Sequence, residues 1–239
     1  LFISYLIPAK QGFAQAQINL GNMYAIGQGV DQNFKEAIKW LTLASKQGVA
    51  QAQFSLGYIY LNGQGVTDYK KAIEWYLLAA QQGHPDAQFN LGNMYVNGHG
   101  VNLDYKEAVK WFRLSADKGF DWAQHNLGKM YADGQGVDQN YEEAIKWFKL
   151  SALKGNDSSA TNLGVMYYSG NGVEQDHKEA IKWYRMGATK QNPVAEHNLA
   201  VMYQQGLGVE QDFEEVIKWM RLAEEHGYAL AQYRLGTIY

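Results

Sequence analysis

Paired acidic side chains recur along the chain, and two neighbouring carboxylates can act as a general acid and a general base. Asp or Asn stands three residues before Glu in five places: Asn33 and Glu36, Asp104 and Glu107, Asn140 and Glu143, Asp176 and Glu179, and Asp212 and Glu215. In a sixth place Lys71 follows Asp68. The same spacing forms a capping box, in which two side chains satisfy the free amide groups at a helix start. Because an active site is normally unique and this pair is repeated, the pattern predicts six helix starts and no catalytic centre.

Glycine pairs, histidines and serines could carry other chemistries, but their spacing does not support them. No Lys-Ser or Lys-Thr follows the Gly-x-Gly-Val turns, so these turns are not predicted to bind phosphate. The six histidines include no His-x-x-x-His pair, and no serine lies in a strand-borne nucleophile elbow. The absence of cysteine excludes disulfides, thiolate zinc sites and cysteine nucleophiles. We therefore predict no catalytic residue, no metal and no cofactor.

A pentad of the form Leu-Gly-x-Met/Ile-Tyr recurs every 36 residues, once after 35. Its copies occupy residues 20–24, 56–60, 91–95, 127–131, 163–167, 199–203 and 235–239, with Ala200 replacing the glycine of the sixth. A tryptophan follows each of the first six copies, at Trp40, Trp75, Trp111, Trp147, Trp183 and Trp219. Self-similarity at this period predicts a solenoid, and we expect about six and a half helix-turn-helix repeats.

Each repeat is predicted to consist of two helices. Ala16, Leu20, Met23 and Tyr24 are spaced i, i+4, i+7 and i+8, which puts them on one buried stripe of a first helix. This helix is expected to end at the Gly-x-Gly-Val turn, and the second helix to bury the tryptophan and its neighbours. The glycine inside the pentad costs about 1 kcal/mol relative to alanine in mid-helix. We expect it to admit a close helix contact, with the repeat's tryptophan in the gap.

The combined markers resemble the Sel-1-like repeat (SLR), a relative of the tetratricopeptide repeat. Residues 123–155 show the full pattern: Ala-x-x-x-Leu-Gly-x-Met-Tyr, Gly-x-Gly-Val, a capping pair, Ala-x-Lys-Trp and a closing glycine. The resemblance covers roughly residues 13–239 and implies an all-α, right-handed α/α superhelical solenoid that acts as an adaptor. Some bacterial members carry a disulfide in each repeat and have been described as binding or hydrolysing β-lactams, and this cysteine-free chain departs from them. Ala200, and Gln191 in place of the closing glycine, mark the sixth unit as divergent.

Charge and apolar content limit the partners. The formal net charge is −3 and no block of like charges appears, so no nucleic-acid binding is predicted. No stretch approaches the roughly 18 apolar residues of a membrane span, so no membrane insertion is predicted. Residues 1–12 are interpreted either as an arm that packs on the first hairpin or as the remnant of a leader peptide. A periplasmic or secreted location is favoured over a cytoplasmic one.

Functional residues of a solenoid are expected where copies differ and face solvent. Opposite the core stripe, at the position of Ile18, the later copies carry Phe54, Phe89, His125, Thr161, His197 and Tyr233. One turn later, at the position of Asn22, they carry Tyr58, Asn93, Lys129, Val165, Val201 and Thr237. These aromatic-rich columns predict a contact surface on the inner side of the solenoid. The alternative is that neighbouring first helices bury the columns against each other.

Trp122 is the one tryptophan that the repeat does not explain. It lies with His125 and Lys129 at i, i+3 and i+7 on one helix face, and we predict that it is the main anchor of a partner. The complete predicted partner-binding set is Phe54, Tyr58, Phe89, Asn93, Trp122, His125, Lys129, His197 and Tyr233.

The sequence thus predicts a non-enzymatic scaffold that holds a peptide or protein segment in its concave groove. The alternative from another class is an enzyme or small-ligand receptor of the β-lactam-associated type. A third hypothesis is self-association through apolar surface at the solenoid ends.

Overall fold

The computed structural model describes residues 2–63 and 65–231, and its regular structure there is helical. The helices are α1 (Phe2–Lys10), α2 (Ala14–Ile26), α3 (Phe34–Ser45), α4 (Ala50–Asn62), α5 (Tyr69–Gln81), α6 (Pro85–Asn97), α7 (Tyr105–Asp117), α8 (Asp121–Asp133), α9 (Tyr141–Ala152), α10 (Asp157–Ser169), α11 (His177–Ala188), α12 (Pro193–Gln205) and α13 (Phe213–Glu225). From α2 onward, each even-numbered helix is the first and each odd-numbered helix the second of a repeat. The predicted all-α fold of two-helix repeats is confirmed. The seventh pentad lies outside the described residues.

The helices belong to two compact units, Leu1–Lys118 (unit 1) and Gly119–Tyr239 (unit 2). In unit 1 the first helices α2, α4 and α6 each pack on the second helix that follows, and α3 and α5 pack on the next first helix. Unit 2 repeats this arrangement from α8 to α13. Each hydrophobic core therefore lies between one second helix and first helices on either side, as Tyr76 and Leu91 illustrate in unit 1 and Phe148 and Leu163 in unit 2.

Helix α1 packs on α2 as a second helix packs on the next first helix. Ala9 shares a buried cluster with Leu20 and Trp40. The side-chain amide of Gln17 donates to the Ala9 carbonyl at 3.1 Å, and two repeats later in unit 1 Gln88 donates in the same way to the Ala80 carbonyl at 3.1 Å. Residues 2–10 therefore form a packed helix.

The second helices begin at the predicted Asp and Asn residues, but only half of the capping box forms. Asp104 Oδ1 accepts a hydrogen bond from the Glu107 N–H at 3.0 Å. The N–H of Asp104 itself donates to the Tyr95 carbonyl at 3.0 Å, while the Glu107 carboxylate pairs with Lys110. The cap residues of the other five repeats also donate to the pentad tyrosine carbonyl. The predicted return bond from Glu is thus wrong, and its dispensability explains Lys71 in that position.

The pentad glycines admit the residue that follows the repeat's tryptophan. A Cβ atom on Gly128 would lie 2.7 Å from Cδ1 of Phe148, well inside van der Waals contact. The equivalent pairs are Gly21 with Leu41, Gly57 with Tyr76, Gly92 with Phe112, and Gly164 with Tyr184. The predicted close approach is confirmed, but the prediction that the tryptophan fills the gap is wrong. Trp147 points along a different face because it precedes Phe148 by one residue, about 100° around the helix.

The helix ends follow the predicted glycine chemistry. Most first helices end at a left-handed glycine, such as Gly134 with φ of 68°, although Gly63 has φ of −73°. The closing glycines after the second helices also have positive φ, and Gln191 adopts φ of 61° in the one copy that lacks glycine. In three repeats the side chain just before the closing position bonds to the carbonyl of the previous closing glycine. These bonds run from Gln47 to Gly12, from Lys118 to Gly83 and from Lys154 to Gly119.

Candidate functional site

Grooves run between consecutive first helices within each unit. In unit 1, α2 and α4 border a groove of about 550 Å³. In unit 2, α10 borders one groove of about 270 Å³ on its α8 side and one of about 340 Å³ on its α12 side. Four predicted contact residues, Phe54, Tyr58, Lys129 and His197, line these grooves, although His197 is largely buried. The grooves are therefore the candidate partner-binding surface.

The groove in unit 1 combines an exposed aromatic side chain with an apolar floor. Tyr58 is 55% exposed. Phe54 is half-buried, because one face of its ring stacks on His84 with centroids 4.7 Å apart and an angle of 12° between the planes. Burial lowers the pKa of His84, which favours the neutral imidazole at this contact. No Asp, Glu, Lys or Arg occurs among the described residues that line this groove.

Helix α6 offers less accessible surface than predicted. Phe89 is half-buried and packs against the core ring of Phe112, with centroids 5.9 Å apart. Asn93, one turn later, is partly exposed. Both predicted contact residues on α6 are therefore only partly accessible.

Trp122 is accessible, as predicted, but its neighbour His125 is not. Trp122 is 47% exposed, and it meets His125 edge-to-face with centroids 6.0 Å apart. His125 is 8% exposed, and its Nδ1 lies 2.8 Å from Ser159 Oγ. Burial, with a smaller contribution from Lys129, lowers the pKa of His125 to about 4. The prediction that His125 faces solvent is wrong, because α10 covers it.

The same correction applies to His197 and to most of its column. His197 is 8% exposed and its ring lies 4.8 Å from that of Tyr228. Ile18 and Thr161, at the same repeat position, are also buried. The column therefore packs against neighbouring helices, as the alternative in the sequence interpretation held. Tyr233 lies outside the described residues.

The accessible column is the one that begins at Asn22. Its members Tyr58, Lys129 and Val165 are exposed, and Asn93 and Val201 are partly exposed. These residues lie one turn after the buried column, at the groove rims, where no neighbouring helix covers them.

Sequence reasoning missed a column of asparagines immediately before the pentad leucine. The copies are Asn19, Asn90, Asn126, Asn162 and Asn198, with Ser55 in the second repeat. Ser55, Asn162 and Asn198 line the three grooves. The signal was present in the sequence, because asparagine is a poor helix former and five mid-helix copies need a reason other than helix formation.

The described residues show no arrangement suited to nucleophilic or metal chemistry. Two Ser-x-x-Lys spacings occur in the sequence, beginning at Ser115 and Ser151, but both serines are fully buried. Ser151 Oγ donates to the Asp121 carbonyl at 2.8 Å, and Lys154 is bonded to Gly119. No group of three or more His, Asp or Glu side chains that could hold a metal ion occurs within 2–63 and 65–231. Over the same residues, no helix is long and apolar enough to cross a bilayer.

The pentad, the glycine contacts and the caps define a helical-repeat protein whose grooves lie between first helices. The family model of the Sel1 repeat matches residues 14–49, 50–84, 85–120, 123–156, 157–192, 193–228 and 229–239. The chain belongs to the Sel1 repeat family, as the resemblance implied.

Two solved structures of this family are similar over nearly the whole chain. A protective antigen present in uropathogenic Escherichia coli strains, which displays an SLR fold, is 40% identical with a TM-score of 0.95 over 100% of this chain and 51% of its own. A Sel1 repeat protein from Oxalobacter formigenes is 30% identical with a TM-score of 0.84 over 97% of this chain and 67% of its own. This chain thus spans about half the length of the first relative. A search of curated proteins gave no match.

Proposed function

We propose that this chain is a non-enzymatic scaffold that binds a peptide or protein segment in the grooves between its first helices. Sel1 repeats commonly serve as protein-interaction scaffolds, which supports the general class. The observation that carries the groove assignment is the exposed Tyr58 at the rim of an apolar groove that lacks charged side chains among its described residues. Exposed aromatic side chains over such grooves are the usual anchors of protein partners.

Unit 2 supplies a second exposed aromatic side chain, which lies outside the lining of its grooves. Trp122 exposes about half of its side chain at the start of α8, and Lys129 lies further along the same helix at the rim of the α8/α10 groove. A large aromatic group and a long cation can together hold an apolar side chain and a polar group of a partner. In this proposal the buried His125 packs against the Trp122 ring and does not contact the partner.

Selection of random dodecapeptides displayed on phage against the immobilised chain tests the proposal. The recovered peptides are then titrated against Tyr58→Ala and Trp122→Ala, with Tyr69→Ala as the matched control. Tyr69 is also exposed, but it lies at the start of a second helix and outside the α2/α4 groove. We expect a loss of about tenfold or more in affinity for Tyr58→Ala or Trp122→Ala and none for the control. Peptides that bind all three variants like the wild type would contradict the groove assignment.

The stability of the Trp122 variant separates binding from folding. Because Trp122 is half exposed, Trp122→Ala should lower the free energy of unfolding by less than about 1 kcal/mol. Trp147 is 5% exposed, so Trp147→Ala should cost about 3–5 kcal/mol. Urea denaturation of both variants measures this difference, and a large loss at Trp122 would assign it to the core.

A further inference from the structure

We propose that Asn171 and Gly172 form a self-modification site, at which the asparagine side chain cyclises onto the next main-chain nitrogen and is hydrolysed to aspartate or isoaspartate. The dipeptide Asn-Gly occurs three times in the chain, at residues 62–63, 97–98 and 171–172. Glycine hinders this cyclisation least, because no Cβ atom lies beside the attacking nitrogen. The hydrogen bonds around the three copies differ, and they single out the third.

The first two copies lie at helix ends, where their reacting groups are bonded. Asn62 and Asn97 are the last residues of α4 and α6. The N–H groups of Gly63 and Gly98 each donate to the carbonyl four residues earlier, at 2.7 Å in the first copy. The carboxamides of Asn62 and Asn97 also donate to the carbonyl four residues earlier, at 3.3 and 2.8 Å. Cyclisation there requires the helix end to open first.

The third copy lies outside any helix. Asn171 follows the end of α10 by two residues, in the turn that leads to α11. Its own N–H donates to the Met166 carbonyl at 3.1 Å. Within the described part of the chain, neither the Asn171 carboxamide nor the Gly172 N–H has a hydrogen-bond partner. Both reacting groups are therefore available without the opening of a helix.

Access of water does not favour the third copy. Asn62 and Asn97 are exposed, whereas Asn171 is only partly exposed. The difference in rate should therefore come from the hydrogen bonds of the attacking nitrogen and of the carboxamide. We expect Asn171 to convert at least about tenfold faster than the other two, since each of them reacts only during a transient opening.

The reaction needs water and no other co-reactant. The main-chain nitrogen of Gly172 forms a bond to Cγ of Asn171, the bond from Cγ to Nδ2 breaks, and the Gly172 amide proton leaves with Nδ2 as ammonia. Water then adds to one of the two carbonyl groups of the cyclic imide and opens the ring. Opening on one side gives aspartate, and opening on the other gives isoaspartate, in which the main chain runs through Cγ. No group is oxidised or reduced.

The conversion changes the charge of a groove. Asn171 lines the α8/α10 groove, whose charged residues among those described are Lys129 and Asp133. A carboxylate at position 171 adds a second negative charge to this lining. The groove thereby loses its charge balance and becomes less favourable for an acidic partner.

Incubation of the full chain at mildly alkaline pH, followed by proteolysis and tandem mass spectrometry, tests the inference. The peptide that contains Asn171 should gain about 1 Da, and protein isoaspartyl methyltransferase should label it. Asn62 and Asn97 are internal controls in the same sample. In urea all three should convert at similar rates, because the hydrogen bonds that distinguish them are absent from the unfolded chain.

Two variants place the effect in the turn. Gln135 occupies the position of Asn171 in the preceding repeat, and its N–H donates to Met130 at 3.0 Å in the same way. Gly136, which follows it, has the same φ of 72° as Gly172. Gln135→Asn should therefore create a second fast site. Asn171→Gln should remove the first, because glutamine must close a larger ring and does so more slowly.

Three results would overturn the inference. The first is conversion of Asn171 no faster than that of Asn62 and Asn97 in the folded chain. The second is a preference for Asn171 that persists unchanged in urea, which would assign the rate to the local sequence. The third is a Gln135→Asn variant whose new asparagine stays intact while Asn171 reacts, because the turn geometry would then not control the reaction.

Discussion

The ring of Phe148 occupies the space that a side chain on Gly128 would need, with its Cδ1 2.7 Å from the position of a Cβ atom. In the sixth repeat Ala200 replaces this glycine, and the flexible Met220 replaces the ring in the same core cluster. In Gly128→Ala, overpacking against the ring should cost about 2 kcal/mol, while the higher helix propensity of alanine should return about 1 kcal/mol. We therefore expect this variant to lower the free energy of unfolding by about 1 kcal/mol.

The double variant Gly128→Ala/Phe148→Met reproduces the pair found in the sixth repeat. Urea denaturation of the two single variants and the double variant gives their coupling energy. We expect a favourable coupling of at least about 1 kcal/mol. Additive losses would show that the Phe148 ring is not what excludes a larger side chain from position 128. A Gly128→Leu variant as stable as the wild type would lead to the same conclusion.

Gln191 is a second position at which the residue found in the other repeats, glycine, suggests a stabilising substitution. It holds φ of 61°, a left-handed conformation that costs an L-residue about 1–2 kcal/mol. Gln191→Gly should therefore raise the free energy of unfolding by about 1 kcal/mol. Gly155→Ala is the reverse control: at φ of 94° the added Cβ would meet only Lys190, 4.0 Å away, so any loss comes from the backbone. Equal stabilities of Gln191→Gly and the wild type would contradict this account.

The buried His125 predicts a pH dependence of stability. Its pKa of about 4 in the folded protein lies below the value of 6.5 in an unfolded chain, chiefly because it is buried. Between these values the unfolded state binds more protons, so stability falls as the pH falls from 6.5 to 4. The loss between pH 7 and pH 5 should be about 2 kcal/mol. The variant His125→Phe carries the residue found at this position as Phe54 and Phe89, and it removes the titrating group. Urea denaturation of wild type and variant at pH 7 and pH 5 measures the contribution of His125. A difference that does not change with pH would contradict the buried neutral imidazole.

The helix caps give the fourth prediction. Asp104 accepts hydrogen bonds from two backbone N–H groups, whereas Glu107 only pairs with the exposed Lys110. Asp104→Ala should cost about 1 kcal/mol and Glu107→Ala less than about 0.5 kcal/mol. Thermal denaturation of both variants separates them. Equal losses would indicate that the Glu side chain contributes to the cap.

The sequence was sufficient for features that local chemistry determines. The starts of the second helices follow from side chains such as Asp104 that bond to backbone atoms two or three residues away. Features that depend on a distant neighbour were not predictable in this way. The periodicity places His125 on the face opposite the core stripe, but it does not show that α10 covers that face. Similarly, the Tyr95 carbonyl displaces Glu107 from the Asp104 amide because the preceding helix ends close to it.

The candidate site was predicted in part for the same reason. Tyr58 and Trp122 are accessible as expected. The asparagine column was missed because repeated residues were assigned to the fold alone. A residue such as Asn162 is repeated and yet lines a groove, so a repeated residue can also belong to the accessible surface.

The bonds between successive closing positions have a consequence for how such chains change in length. Lys118 reaches the carbonyl of Gly83, and Lys154 reaches that of Gly119, so each of these two donors bonds to the closing glycine of the preceding repeat, 35 residues upstream. Loss or duplication of a whole period brings the next donor to an equivalent acceptor and leaves the hydrogen-bond pattern intact. Insertions of any other length break it. Evolution by recombination between periods is therefore chemically inexpensive for this architecture, while drift by single insertions inside a period is not.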